Sequence, residues 1–256
     1  MAKTFLDICK ILLVFLFCQF IAGAIISIPS IRQLPIGILT FWTSLLAYLI
    51  TTIYCIKTQK LTLNKDSFSY TNKIFYAIGF VALFCLIFIL DYISAIANVK
   101  DLYEPLFLEV CSSPWGLIST TLFAAFFEEL IFRGAIMGAL LKKVSAPLAI
   151  LIASLIFGCI HFNPIQILGG VIIGLFLGWC FYKTKSLLPG ILFHFTNNAL
   201  SAFFIYKYHG ECTDFSYFFS NPKLHLLIVF LCLVVGCFCF YLLNTKILSK
   251  SIKRSN

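Results

Sequence analysis

Charged residues are scarce in this 256-residue chain, at 11%, and only ten of them are acidic. Such a chain lacks the polar surface that a water-soluble domain of this size requires. Long stretches of strict polar–apolar alternation are missing as well, which excludes a transmembrane β-barrel built from strands of roughly ten residues. The sequence contains no HExxH motif and no CxxC or Cys/His ligand spacing, so no familiar zinc site can be read from it. Low-complexity tracts, long linkers and internal repeats are absent too, and one integral membrane domain over residues 1–256 is expected.

What the chain does have is apolar length: 61% of its residues are hydrophobic. In hydrocarbon an unsatisfied backbone polar group is costly, so continuous apolar runs imply helices that satisfy their own backbone. A membrane helix needs about 20 mainly apolar residues. Eight windows fit: 5–28, 36–56, 74–97, 116–141, 147–162, 165–183, 187–208 and 224–247. The expected fold is therefore all-α, a polytopic transmembrane bundle of about eight spans. The first window is too long for a signal peptide's apolar region and is expected to be a retained span. Asn163-Pro164 predicts a tight turn between the fifth and sixth windows, because Pro cannot continue a helical ladder and restrains the residue before it.

The net charge of +9 follows the loops. Of the nineteen basic residues, fourteen, from Lys3 to Arg254, fall on one side of the alternating spans. Four (Arg32, Lys100, Lys207, Lys223) fall on the other, and Arg133 lies within a span. Lys and Arg mark cytoplasmic loops, so both termini are expected to be cytoplasmic, and nucleic acid is not an expected partner. The short loops suit a bacterial cell membrane. Most of the eleven cysteines lie in apolar runs and behave there as small hydrophobes. Cys111 and Cys212, both in loops of the less basic side, would form a disulfide if that side is oxidising; two free thiols are the alternative.

Gly170, Gly174 and Gly178 recur at four-residue spacing in the sixth window and predict a face that another helix approaches closely. Pro189-Gly190 predicts a kink or loose start to the seventh.

Ionisable groups in mid-span are expensive and usually face a protein interior or a water-filled cavity. The fourth window carries Glu128, Glu129 and Arg133. Glu129 and Arg133, four apart, can pair on one face. Glu128 projects about 100° away, is five residues from Arg133, and remains available to act as a base. The fifth window places Phe157 and His161 on one face, and the seventh does the same for His194 and Asn198, with Asn197 on another. A purely structural use of these groups would be a packing ion pair, a Glu128 bonded to a neighbour, and imidazole and amide groups gluing helices together. As a set they supply a base, two imidazoles and an amide donor, the means to activate water and hold an oxyanion.

These residues, EExxxR (Glu128, Glu129, Arg133), FxxxH (Phe157, His161) and HxxxN (His194, Asn198), in this order on successive helices, resemble the CPBP family. Its members are the CAAX-processing and bacteriocin-processing intramembrane proteases, also called Abi proteins. The resemblance covers residues 116–200, on the fourth, fifth and seventh windows. It implies that Glu128 activates the attacking water with help from His161, and that His194 and Asn198 stabilise the oxyanion. Glu129 and Arg133 would support the site. The implied substrate is a membrane-associated peptide or a lipidated protein tail, met at the lipid bilayer. A metal-free reaction without cofactor is preferred; the alternative is zinc held by Glu128, His161 and His194. A non-catalytic bacteriocin-immunity or peptide-binding protein is the rival reading. A proton-relaying transporter would more often show paired halves, and none is found.

Overall fold

The computed structural model describes residues 2–208, 215–219 and 221–245. Among these, nine helices and no strands are found: α1 Ala2–Ile26, α2 Ile36–Lys57, α3 Lys73–Ile96, α4 Glu104–Cys111, α5 Pro114–Leu140, α6 Ala146–Cys159, α7 Pro164–Thr184, α8 Leu188–Tyr208 and α9 Pro222–Asn244. Each of the eight apolar windows has become a helix, and the chain is an integral, multi-pass helical bundle. Six of the helices (α1, α2, α3, α5, α7 and α9) are long and apolar enough to cross a membrane. Helix α6 has only 14 residues, which at about 1.5 Å per residue falls short of the roughly 30 Å hydrocarbon core. Helix α8 has 21 residues but interrupts its apolar run with His194, Thr196, Asn197 and Asn198. The expected eight spans thus become six long apolar helices, one short one and one polar one. Helix α4, in the loop before α5, has no counterpart among the apolar windows.

Burial ranks the helices. In α5, 61% of the most apolar stretch is buried, against 22% in α1 and 17% in α9. Helix α5 is therefore the central element, and the outward faces of α1 and α9 present large apolar side chains such as Phe20, Leu13, Phe230 and Tyr241. In water such a surface would be an aggregation liability; in a bilayer it meets acyl chains. One apolar cluster surrounds α5, with contributions from α1, α2 and α6. A second forms where α3, α7, α8 and α9 meet.

The loops sort into two ends. At one, Ser186 Oγ donates to the Ser69 carbonyl at 2.8 Å and the Leu187 amide donates to Ser67 at 2.8 Å, joining the α2–α3 and α7–α8 connections. At the other, fully buried Asn163 joins the α6–α7 turn to the α3–α4 connection. Its Nδ2 donates to Asp101 Oδ1 at 2.8 Å and its Oδ1 accepts from the Leu102 amide at 3.1 Å.

The α6–α7 turn is tight, as the Asn163-Pro164 pair predicts. Asn163 is extended (φ −127°, ψ 120°), the conformation that a following Pro enforces, and Pro164 occupies the first turn of α7. Helix α6, however, ends at Cys159 rather than 162, because Phe162 takes a left-handed φ of 52° to make the reversal. The glycine face of α7 is realised. A Cβ added at Gly170, Gly174 or Gly178 would approach Gly158, Ser154 or Ile150 of α6 at 3.0–3.3 Å. Pro189 lies in the first turn of an unbroken α8, so Pro189-Gly190 marks a helix start and not a kink. Of the suggested cysteine pair, Cys212 lies outside the described residues; Cys111 is buried.

Candidate active site

Helix α5 is not a regular α-helix. Its backbone widens into π-helical turns over Ser119–Phe123 and Glu129–Met137, on either side of the α-helical turn that ends at Glu128. Such turns gather at functional sites because they re-aim side chains and loosen the carbonyl ladder. Thr120 and Thr121 hydroxyls bond back to the Gly116 and Leu117 carbonyls at 2.9 and 2.6 Å in the first of them, an arrangement known to bend helices.

Glu129 is fully buried, and it pairs with Arg133 as its four-residue spacing requires: Arg133 Nη1 donates to Glu129 Oε1 at 2.7 Å. The rest of the guanidinium is used as well. Arg133 Nη2 donates to the Gly174 carbonyl of α7 at 3.2 Å, and the charge lies 4.5 Å from the centre of the Phe157 ring. The same Glu129 Oε1 lies 3.1 Å from His194 Nδ1. A carboxylate can only accept here, so Nδ1 carries the proton and Nε2 points away from Glu129. One buried carboxylate thus fixes both the arginine and the tautomer of the histidine.

Glu128 faces the other side of that imidazole, with Oε2 at 3.8 Å from His194 Nε2. Its Oε1 accepts a hydrogen bond of 2.7 Å from the Tyr48 hydroxyl on α2. Tyr48 has no place in the sequence motifs. A single phenol in an apolar span gives no periodic signal, and its partner is 80 residues away.

Asn198 lies one turn beyond His194 on α8. Its Nδ2 donates to the Thr120 carbonyl at 3.1 Å, in the first π-helical turn, and its Oδ1 accepts from Asn197 Nδ2 at 3.1 Å. Asn197, expected on another face, therefore holds its neighbour's amide in place. The second Nδ2 hydrogen of Asn198 remains for another acceptor.

His161 belongs to the turn after α6. Its Nδ1 lies 2.8 Å from the Phe157 carbonyl, so Nδ1 carries the proton and Nε2 is left as the acceptor. Phe157 meets the His161 ring edge-on at 5.2 Å and the His194 ring edge-on at 5.6 Å. It is the packing element of the site. Among the described residues His161 makes no hydrogen bond to Glu128 or His194. Nor do any three His, Cys, Asp or Glu side chains stand together as a metal set among them. Glu128, His161 and His194 therefore do not form the closed donor group that zinc would require.

Gly190, one turn before His194, brings α8 against the Glu129 carboxylate of α5. A Cβ there would lie 2.6 Å from Glu129 Oε2. That oxygen is buried without a hydrogen-bond partner among the described residues, and the carboxylate cannot swing aside without releasing Arg133 and His194. Gly190→Ala is expected to cost about 1–3 kcal/mol of stability, as overpacking does. Thermal unfolding in detergent would check this, and an Ala variant as stable as wild type would refute it.

An apolar cavity of about 430 Å³ opens between α1, α2 and α4, lined by Gly23, Ile26, Arg32, Thr40, Phe107 and Thr120 among others. Its lining reaches the residue whose carbonyl anchors Asn198.

Residues 111–200 match the family described as Type II CAAX prenyl endopeptidase Rce1-like. No curated protein and no solved structure matches the chain. The matched stretch runs from the last residue of α4 into α8 and contains all the motif residues.

Proposed function

The chain belongs, through residues 111–200, to the CAAX-protease (CPBP) family of intramembrane proteases, and from that premise we propose an endopeptidase that cuts a membrane-associated peptide or a lipidated protein tail. The observation that carries the reading is that Glu128 of α5 and His194 of α8 face each other at 3.8 Å, with Phe157 edge-on to the rings of both His194 and His161.

In the proposed reaction Glu128 Oε2 takes a proton from a water molecule as the water oxygen attacks the scissile carbonyl carbon. The carbonyl oxygen becomes an oxyanion. Asn198 supplies its second Nδ2 hydrogen, and His194, held by Glu129 through Nδ1, would donate from Nε2 once that nitrogen also carries a proton. His161, with Nε2 as acceptor, assists in holding the water. Collapse of the intermediate breaks the C–N bond, and the proton on Glu128 passes to the leaving amine. Glu129 and Arg133 position these groups without touching substrate. The step is written without a metal. The apolar cavity beside Thr120 suits a substrate with an apolar or lipid-bearing end.

We read the protein as one integral membrane domain of a bacterial cell membrane, with its catalytic core at about residues 116–200. Its fourteen-to-four distribution of basic loop residues supports both termini on the cytoplasmic side.

The test is cleavage of an internally quenched peptide ending in a farnesylated CAAX box, alongside the same peptide without the lipid. Purified protein is expected to cut the farnesylated probe. His161→Ala should lower kcat by roughly 100-fold, the scale of an acid–base helper. If wild type binds but cuts neither peptide, the non-catalytic peptide-binding alternative replaces this reading.

A further inference from the structure

We propose that Tyr48 of α2 is a positioning residue of this site, one that selects which oxygen of Glu128 acts as the base. The inference rests on the peptidase reading and extends the site beyond the stretch that the family match covers.

A carboxylate in a water-poor site has two equivalent oxygens and several rotamers, and a base must present one of them on the correct side. Here the choice is made by α2. The Tyr48 hydroxyl donates to Glu128 Oε1 at 2.7 Å, which leaves Oε2 as the oxygen nearer His194. The phenol is itself held. It is buried at 6% exposure, its ring is stacked on Phe127 at 5.4 Å and 7°, and Phe15 of α1 lies against it at 6.2 Å. Phe127 immediately precedes Glu128, so the same helix that carries the base also carries the surface that orients the phenol. The charged and titratable groups around Glu128 are then Tyr48 from α2, His194 from α8, and Glu129 and Arg133 from α5 itself. Arg133 and His194 are both bound to Glu129 Oε1. Tyr48 thus supplies the one hydrogen bond that Glu128 receives among the described residues.

Positioning of this kind makes a sharp prediction. Tyr48→Phe keeps the ring, its stack on Phe127 and the apolar packing, and removes only the hydroxyl. Turnover of the farnesylated CAAX probe should fall about 10- to 100-fold, the worth of a hydrogen bond to a charged group. KM should stay within about twofold of wild type, because substrate binding has not changed, while the thermal midpoint should fall by a few degrees as buried Glu128 loses its hydrogen bond from the phenol.

The decisive measurement is a double-mutant cycle with Glu128→Asp, whose shorter side chain withdraws the carboxylate from the phenol. In that background Tyr48→Phe is expected to have no further effect on kcat. Two outcomes overturn the proposal. One is full turnover by Tyr48→Phe. The other is a loss that persists undiminished in the Glu128→Asp background, which identifies a merely structural phenol. The peptidase reading fails separately, if Glu128→Gln retains turnover. If Glu128→Gln is inactive and Tyr48→Phe is fully active, only the role of Tyr48 falls.

Discussion

Glu128→Gln is expected to lower kcat on the farnesylated CAAX probe by roughly 1,000-fold while leaving the protein folded, a loss within the range for removal of a general base. The substitution is close to isosteric. The amide oxygen can still accept the Tyr48 hydroxyl bond that Glu128 Oε1 now receives, so the packing of α2 on α5 is kept. What disappears is the ability to take a proton from water. The neighbouring glutamate makes the contrast. Glu129 is fully buried, bound to Arg133 at 2.7 Å and to His194 at 3.1 Å. Glu129→Gln should therefore lower the thermal midpoint as well as activity, since it leaves the Arg133 charge without its counter-ion. Two adjacent carboxylates, one chemical and one structural, would thus separate on a plot of activity against stability. Turnover by Glu128→Gln within about threefold of wild type would remove Glu128 from the base role, because a proton acceptor contributes far more than that.

The two glutamates also show how far the sequence could be read. Helical spacing alone identifies Glu129 and Arg133 as a pair and sets Glu128 apart, because both facts are local to one helix. The apolar windows became helices for the same reason: a run of some 20 apolar residues has one way to satisfy its backbone in lipid. The glycines of α7 were legible through their regular spacing, and they meet Gly158, Ser154 and Ile150 of α6. What lay beyond the sequence are relations between distant segments. Tyr48 reaches Glu128 from a helix that carries no motif. Asn163 was legible as a turn residue but not as the clamp that ties the His161 turn to Asp101 and Leu102. The π-helical turns of α5 were hidden as well, since local spacing predicts a regular helix through Thr120 and Arg133. His161 was misplaced by two residues of helix. The stop signal, Pro164, was visible, but the positive φ of Phe162 that draws the end of α6 back to Cys159 was not.

Arg133→Met is expected to be the most destabilising single change in the site, with a loss of about 3–5 kcal/mol, the cost of leaving one partner of a buried ion pair alone. Arg133 is 2% exposed and Glu129 is at 0%. Removing the guanidinium strands a carboxylate whose other oxygen already lacks a hydrogen-bond partner among the described residues, frees the Gly174 carbonyl of α7, and removes the cation from the face of Phe157. The midpoint of unfolding in mixed detergent micelles would report the loss. The double variant Glu129→Gln/Arg133→Met is expected to regain most of it, because a neutral amide beside a thioether of similar volume has no charge to desolvate. Its activity should nevertheless stay low. His194 Nδ1 would face a neutral amide oxygen in place of the carboxylate that holds it now. Recovered stability without recovered turnover would separate the two duties of Glu129: as counter-ion to Arg133 it holds α5 and α7 together, and as partner of His194 it supports the chemistry. A double variant no more stable than Arg133→Met would show that lost arginine contacts, and not the stranded carboxylate, set the cost.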